Sequence, residues 1–144
     1  MKDKKGFTLI ELLAVIVILG IILTISIPQV SKYINSTREK TMRTNAQVFI
    51  DAVRDYSTSN NSFPYKGRDR KYYLVDIFGT IGLDKVSKKS PYGSEWNTSE
   101  SYVLQHLSEN NVDSYSIYLI DNDHHCIELT PEKEVASAEV KICG

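Results

Sequence analysis

The sequence predicts an α+β fold, in which a long N-terminal helix packs on a small antiparallel sheet of three or four strands. Three observations predict it. Phe7 to Pro28 is an apolar run suited to a membrane, residues 29–60 keep a helical apolar stripe, and short segments after residue 101 alternate with period two. The helix is therefore read as a membrane-spanning half, 7–28, continued by an amphipathic half, 29–60. A connecting loop, 61–101, and a sheet region, 102–144, complete an outer domain of 29–144.

The apolar run reads Phe-Thr-Leu-Ile-Glu-Leu-Leu-Ala and onward for 22 residues. At ~1.5 Å per residue a helix of that length crosses the hydrocarbon core of a bilayer. A secretory signal peptide has a shorter apolar region followed by a small-residue cleavage site, and no such site follows here. Residues 1–6, Met-Lys-Asp-Lys-Lys-Gly, place three lysines ahead of the run. Lysines before the helix and a polar domain after it favour an N-terminus inside the cell and a domain outside. Glu11 is out of place in this run. A charge at the centre of a membrane helix costs roughly 2.5–3.5 kcal/mol. Two explanations stand open for it: a side chain snorkelling to the interface, or one awaiting a partner in the membrane plane.

Val30, Ile34, Met42, Ala46, Phe49, Val53 and Tyr56 recur at steps of three and four, interrupted near Arg38, and define one apolar face. Joined to the membrane half, this gives a helix of about 54 residues and ~80 Å. Pro28 removes a backbone donor inside it and Gly20 weakens it, so a soft point is expected between them. Pro64, Gly67, Gly79, Gly82, Pro91 and Gly93 then mark a long irregular connection. Within it Leu74, Ile77, Phe78 and Ile81 fit a short helical face, with Gly82 as its stop. Strands are expected at Tyr102–His106, Tyr115–Ile120, Cys126–Leu129 and Ala138–Cys143, with Asp121-Asn122-Asp123 as the hairpin turn between the second and third.

At 144 residues the chain has room for one domain and a membrane segment. The net charge of −1 hides an asymmetry. Residues 29–90 hold twelve Lys/Arg and six Asp/Glu, a balance of +6, whereas residues 91–144 hold two Lys and ten Asp/Glu, a balance of −8. Basic and acidic parts on one chain attract copies of it, which suits a polymer. Cys126 and Cys143 lie near the C-terminus; two free thiols would suit a cytosolic chain, and an exported domain favours a disulfide.

Gly6-Phe7-Thr8-Leu9-Ile10-Glu11 resembles the processing site of type IV prepilins: a short charged leader ending in glycine, then a helix opening Phe-Thr-Leu-Ile-Glu. The resemblance continues at Gly20 and Pro28 and covers about residues 1–30; beyond it only the architecture agrees. It implies a leader, 1–6, cut after Gly6 on the cytoplasmic side by a prepilin peptidase that also methylates Phe7. It implies that Glu11 pairs with the N-terminal amine of a neighbouring subunit as helices pack, and that Gly20 and Pro28 let the packed helices bend. For Pro28 the alternative is a simple marker of the membrane exit. Cys126 and Cys143 resemble the pair that staples the C-terminal region of many pilins, and both fall opposite the apolar strand residues Ile127, Leu129, Val140 and Ile142.

The implied function is a structural subunit of a type IV pilus, serving adhesion, aggregation or surface motility. The alternative of the same build is a pseudopilin of a type II secretion or competence DNA-uptake machine. A third possibility is a single-span membrane protein whose outer domain binds a ligand. Expected partners are other copies, minor pilins, the prepilin peptidase and the membrane assembly machinery, with any host or surface receptor unspecified. The expected location is the bacterial membrane as a single-pass subunit, then an extracellular pilus. Lys66, Arg68, Arg70 and Lys71 among Tyr65, Tyr72 and Tyr73 could hold nucleic acid, but a solvated loop or a contact with an acidic neighbour suits them better. A metal at His124, His125 and Cys126 is disfavoured because successive strand residues face opposite ways. Calcium at Asp121 and Asp123 lacks evident third and fourth oxygen ligands. No nucleophile–base pair, phosphate loop or paired catalytic carboxylate stands out, so neither catalysis nor a cofactor is expected.

Overall fold

The structure, a computed structural model, describes residues 5–60, 69–108 and 113–144. Two compact units divide it, one running to Thr37 and the other Arg38–Gly144. Helix α1, Leu9–Asn60, runs without interruption through Gly20 and Pro28. Ser and Thr hydroxyls bond back to carbonyls four residues earlier near Pro28, and again at Thr37, Thr44 and Thr58. The Thr24 hydroxyl donates to the Gly20 carbonyl (2.8 Å), that of Ser26 to Ile22 (2.8 Å) and that of Ser31 to Ile27 (3.2 Å). Such back-bonding competes with the helix ladder and loosens it slightly. It brackets the point where Pro28 leaves a carbonyl without its usual donor.

In the second unit α1 buries Met42, Ala46, Phe49, Ile50 and Val53, which continue the helical stripe. Val30 and Ile34 belong to the other unit and stay 54% and 43% exposed, so the buried face begins at Met42 rather than at Val30. Against these residues lies a five-stranded antiparallel meander, in the order β1 (Asp69–Tyr73), β2 (Tyr102–Leu107), β3 (Asp113–Ile120), β4 (His125–Pro131) and β5 (Lys141–Ile142). The architecture is the α+β one expected, with one strand more than the three or four read from the pattern. The extra strand is β1. Only Tyr72 of its five residues is buried, so Asp-Arg-Lys-Tyr-Tyr shows no alternation and passes for a loop. As the sheet edge it suits its charges, which discourage pairing with further strands.

Helix α2, Leu74–Gly79, follows β1 directly, and Leu74 and Ile77 are its buried residues. The Leu83 N–H donates to the Ile77 carbonyl (3.1 Å) across Gly82, whose φ of +73° marks the stop. Phe49 meets Phe78 and Trp96 edge-on, at centroid separations of 5.6 and 5.9 Å. Tyr72, Val103, Tyr115, Ile117, Leu119 and Ile127 close the core from the sheet. Buried Gln105 is fully used: it accepts from the Tyr72 hydroxyl (3.2 Å) and donates to Asp113 (3.1 Å) and Tyr115 (3.3 Å).

The C-terminal stretch departs from expectation. Residues 132–137 form a 3-10 helix, Glu132–Ser137, and β5 shrinks to two residues. The helix is clasped to α1. Arg54 bonds both Asp51 (2.6 Å) and Glu132, Gln47 donates to Glu132 (2.9 Å), and the Arg43 Nε donates to the Ala138 carbonyl (2.6 Å). Hydrogen bonding to Glu132 raises the Arg54 pKa. Burial pushes the Glu132 carboxyl up, but the bonds from Arg54 and Gln47 outweigh it and hold the carboxyl below its ordinary value.

Candidate functional site

At the start of α1 the chain forms a reciprocal cap. The Thr8 N–H donates to the Glu11 carboxylate (2.9 Å) and the Glu11 N–H donates to the Thr8 hydroxyl (3.3 Å). This is a capping box of the Thr-x-x-Glu kind, which satisfies two donors that a helix start otherwise leaves free. The carboxylate also lies where a helix N-terminus favours negative charge. The cap is a third role for Glu11 beside snorkelling and a partner in the membrane plane, and Thr8-Leu9-Ile10-Glu11 carries its signature openly. The bond uses Oε2 alone, so the carboxylate keeps further acceptor positions.

From Phe7 to Ile27 the large apolar side chains are exposed, from 51% at Leu19 to 87% at Phe7. The helix is long and apolar enough to cross a membrane. Gly20 lies in this stretch, and a side chain added there would meet nothing within 4 Å in a single copy. Gly6 is equally open, and residues 1–4 of the expected leader lie outside the described residues.

Cys126 and Cys143 form a disulfide with Cα atoms 5.8 Å apart. Cys126 opposes Lys141 on β5, and the Cys143 N–H donates to the His124 carbonyl (2.8 Å), so the bridge locks the short last strand to β4. Cys126 and its neighbour Ile127 are both fully buried, so burial along β4 does not alternate at the disulfide. Leu129 and Ile142, read as core-facing, are instead 49% and 66% exposed. For Leu129 the cause is a bulge: the register shifts between Ile117 and Leu119, and the alternation of β4 slips with it.

The weaker candidates resolve into structural roles. Asp121 is buried at the hairpin turn, where it accepts from Ser90 (2.6 Å) and from the N–H groups of Asp123 (3.0 Å) and His125 (2.9 Å). The His125 ring lies 3.2 Å from the same carboxylate and stacks on Tyr92 (3.9 Å, 8°). His124 takes the left-handed position of the turn, with φ 68°. Among the described residues no three His, Cys, Asp or Glu side chains group to hold a metal ion. Of the basic–aromatic cluster, Tyr65, Lys66 and Arg68 lie outside the described residues. The remainder sits on β1 and is split between the two faces of the sheet, with Arg70 over the Tyr72 ring (4.8 Å) and Lys71 over Tyr102 (4.3 Å).

Residues 1–27 carry the prokaryotic N-terminal methylation motif. The chain is also similar to two fimbrial proteins of Pseudomonas aeruginosa, each 38% identical over 69 residues. That match covers 48% of this chain and 40% of each relative. No solved structure matches. The methylation motif takes in Gly6, Phe7, Glu11 and Gly20 and ends one residue before Pro28, so the resemblance to type IV pilins rests on the segment where these residues lie.

Proposed function

We propose that this chain is the structural, non-catalytic subunit of a type IV pilus. It is cut between Gly6 and Phe7, methylated at Phe7, held in the bacterial membrane by α1 and then assembled into an extracellular filament through helix packing. The observation that carries the proposal is the methylation motif on a helix whose one ionisable residue between Phe7 and Pro28 is Glu11. A carboxylate in apolar surroundings calls for a cation, and a cut after Gly6 creates an amine at Phe7 of each copy. Glu11 of one copy pairs with the amine of another, using the acceptor positions that the Thr8 N–H leaves free. Gly20 gives a neighbouring helix close approach and Pro28 gives the helix a point of bending. Minor pilins, the prepilin peptidase and the assembly machinery are the other partners; adhesion, aggregation or motility is the use. A pseudopilin of a secretion or DNA-uptake machine shares every one of these features and differs in filament length.

The test is paired. Cells making Glu11→Val as their sole copy are immunoblotted for cut subunit in the membrane, and sheared fibres from the same cells are imaged. Removing one partner of a buried ion pair costs about 3–5 kcal/mol. The expected result is normal cleavage and membrane residence with filaments lost. Normal filaments would overturn the assembly role of Glu11. Long wild-type fibres indicate a pilus and short ones a pseudopilin.

A further inference from the structure

The outer face of the sheet, away from the core, carries an aromatic row. Tyr73 opposes Tyr102, and Tyr102 opposes Tyr118, with ring centroids 5.7 and 5.8 Å apart. The bulge extends the row. Ile117 opposes Thr130 and Leu119 opposes Ile127, which leaves Glu128 and Leu129 together opposite Tyr118. Leu129 is one of the few large apolar side chains exposed in the Arg38–Gly144 unit. Burial first, then the charges of nearby Glu100, Tyr102 and Glu128, push the Tyr118 hydroxyl pKa up, so both acids act on this ring. Glu128 has a partner in Lys141 (2.9 Å), an exposed pair of little strength. Glu100 has no cation within 4 Å among the described residues.

A ring flanked by carboxylates is a seat for a cation. The same chain holds unspent cations. Lys85, Lys88 and Lys89 are exposed and form no ion pair among the described residues. Their loop is firmly placed: Ser90 donates to buried Asp121, the Trp96 N–H donates to the Lys88 carbonyl (3.1 Å), and the Trp96 indole donates to the Ser87 carbonyl (2.9 Å). Lysines on an anchored loop lose less freedom on docking than lysines on a loose one.

We propose that the Lys85–Lys89 loop of one copy docks on the Tyr73–Tyr102–Tyr118–Leu129 row of the next, with an ammonium over Tyr118 between Glu100 and Glu128. Charge selects the occupant, because the loop belongs to the +6 stretch 29–90 and Glu100, Tyr118 and Glu128 to the −8 stretch 91–144. Lys71 of the same copy already lies over Tyr102, so the incoming lysine stems cover the Tyr118–Leu129 end of the row while their heads meet the acids. The two patches differ, so the contact is heterologous, the kind that builds an open filament when its rotation does not close into a ring. The inference rests on the filament proposed above and adds the contact between its outer domains.

Two measurements test it on the full chain in cells. In the first, Lys88→Glu with Lys89→Glu, and separately Glu100→Lys with Glu128→Lys, should each lower the yield of sheared filaments about tenfold, with cut subunit in the membrane unchanged. Combining all four reversals should recover most of the yield. In the second, wild-type filaments are treated with a zero-length carbodiimide cross-linker. Peptides joining Lys85, Lys88 or Lys89 to Glu100 or Glu128 should appear in filaments and be absent from dispersed subunits. Filaments that form normally with either reversal and give no such cross-link would overturn the docking and leave the filament proposal standing. Failure of wild-type cells to make any fibre would overturn both.

Discussion

Replacing Glu11 by glutamine separates its two roles. Glutamine at the third helical position still completes a capping box, since its amide oxygen accepts from the Thr8 N–H as the carboxylate does at 2.9 Å. The helix start therefore keeps the ~1 kcal/mol that a good cap contributes. What disappears is the charge. Without it a neighbour's amine loses its counter-ion, at about 3–5 kcal/mol for each contact. At 1.4 kcal/mol for each factor of ten, that is roughly two to three and a half orders of magnitude in subunit affinity. Cells carrying Glu11→Gln should thus hold cut subunit in the membrane at wild-type level and shed almost no fibre, matching Glu11→Val. The assay is the same immunoblot and fibre imaging. Normal fibres from Glu11→Gln beside none from Glu11→Val would show that the cap, not the charge, is what assembly needs.

Three further outcomes follow from the geometry. Glu132→Gln should destabilise the detergent-solubilised full chain by about 1 kcal/mol at neutral pH, read by urea unfolding, because both sides of the Arg54 clasp are partly exposed. Since the Glu132 carboxyl is held below its ordinary value of 4.5, its contribution is complete above that value and fades as pH falls through the lowered pKa. The gap between wild type and variant should close in acid, and a gap independent of pH would contradict the clasp. Cys126→Ser should lower stability by roughly 3 kcal/mol, the chain-entropy value for a loop of this size, and alkylation of untreated protein should find no free thiol in the wild type. Gly6→Val should leave an uncut, membrane-bound precursor, and a chain beginning at Phe7 in that variant's mass spectrum would refute the cleavage site.

Much of this was legible in the sequence, for definable reasons. The long helix shows through its apolar run and stripe, because a helix packed on one side must repeat at three and four. Strands β2 and β3 show through alternation, because the core covers one face of each, whereas in β4 the bulge breaks the pattern and hides which way Leu129 faces. Strand β1 stayed hidden, since an edge strand with Tyr72 as its one buried residue has no alternation to display. The 3-10 helix at Glu132–Ser137 was invisible for another reason. It is held by Arg54, Gln47 and Arg43 of α1, partners 78 to 95 residues away that no local pattern reveals. At the N-terminus the roles proposed for Gly6, Phe7 and Glu11 come from their resemblance to a family. The Thr8–Glu11 cap needed no family, only the spacing of threonine and glutamate at a helix start.

The direction of assembly follows from what the apolar helix can and cannot contribute. Its exposed leucines, isoleucines and valines must leave water, and either lipid or neighbouring helices satisfy them. Lipid tails are as apolar as those side chains, so moving α1 from membrane to filament gains little from apolar burial. Close packing at Gly20, where a single copy leaves the surface open, adds dispersion contacts but no directionality. The decision therefore falls to polar groups. Among the described residues of the Arg38–Gly144 unit, no buried side-chain nitrogen or oxygen lacks a hydrogen-bond partner. Polar groups at the surface are left to act between copies, among them Glu11 at the start of α1, and Glu100 and the loop lysines on the outer domain. In the proposed filament the first chooses the helix register and the second the spacing of the domains, and neither acts until a second copy arrives.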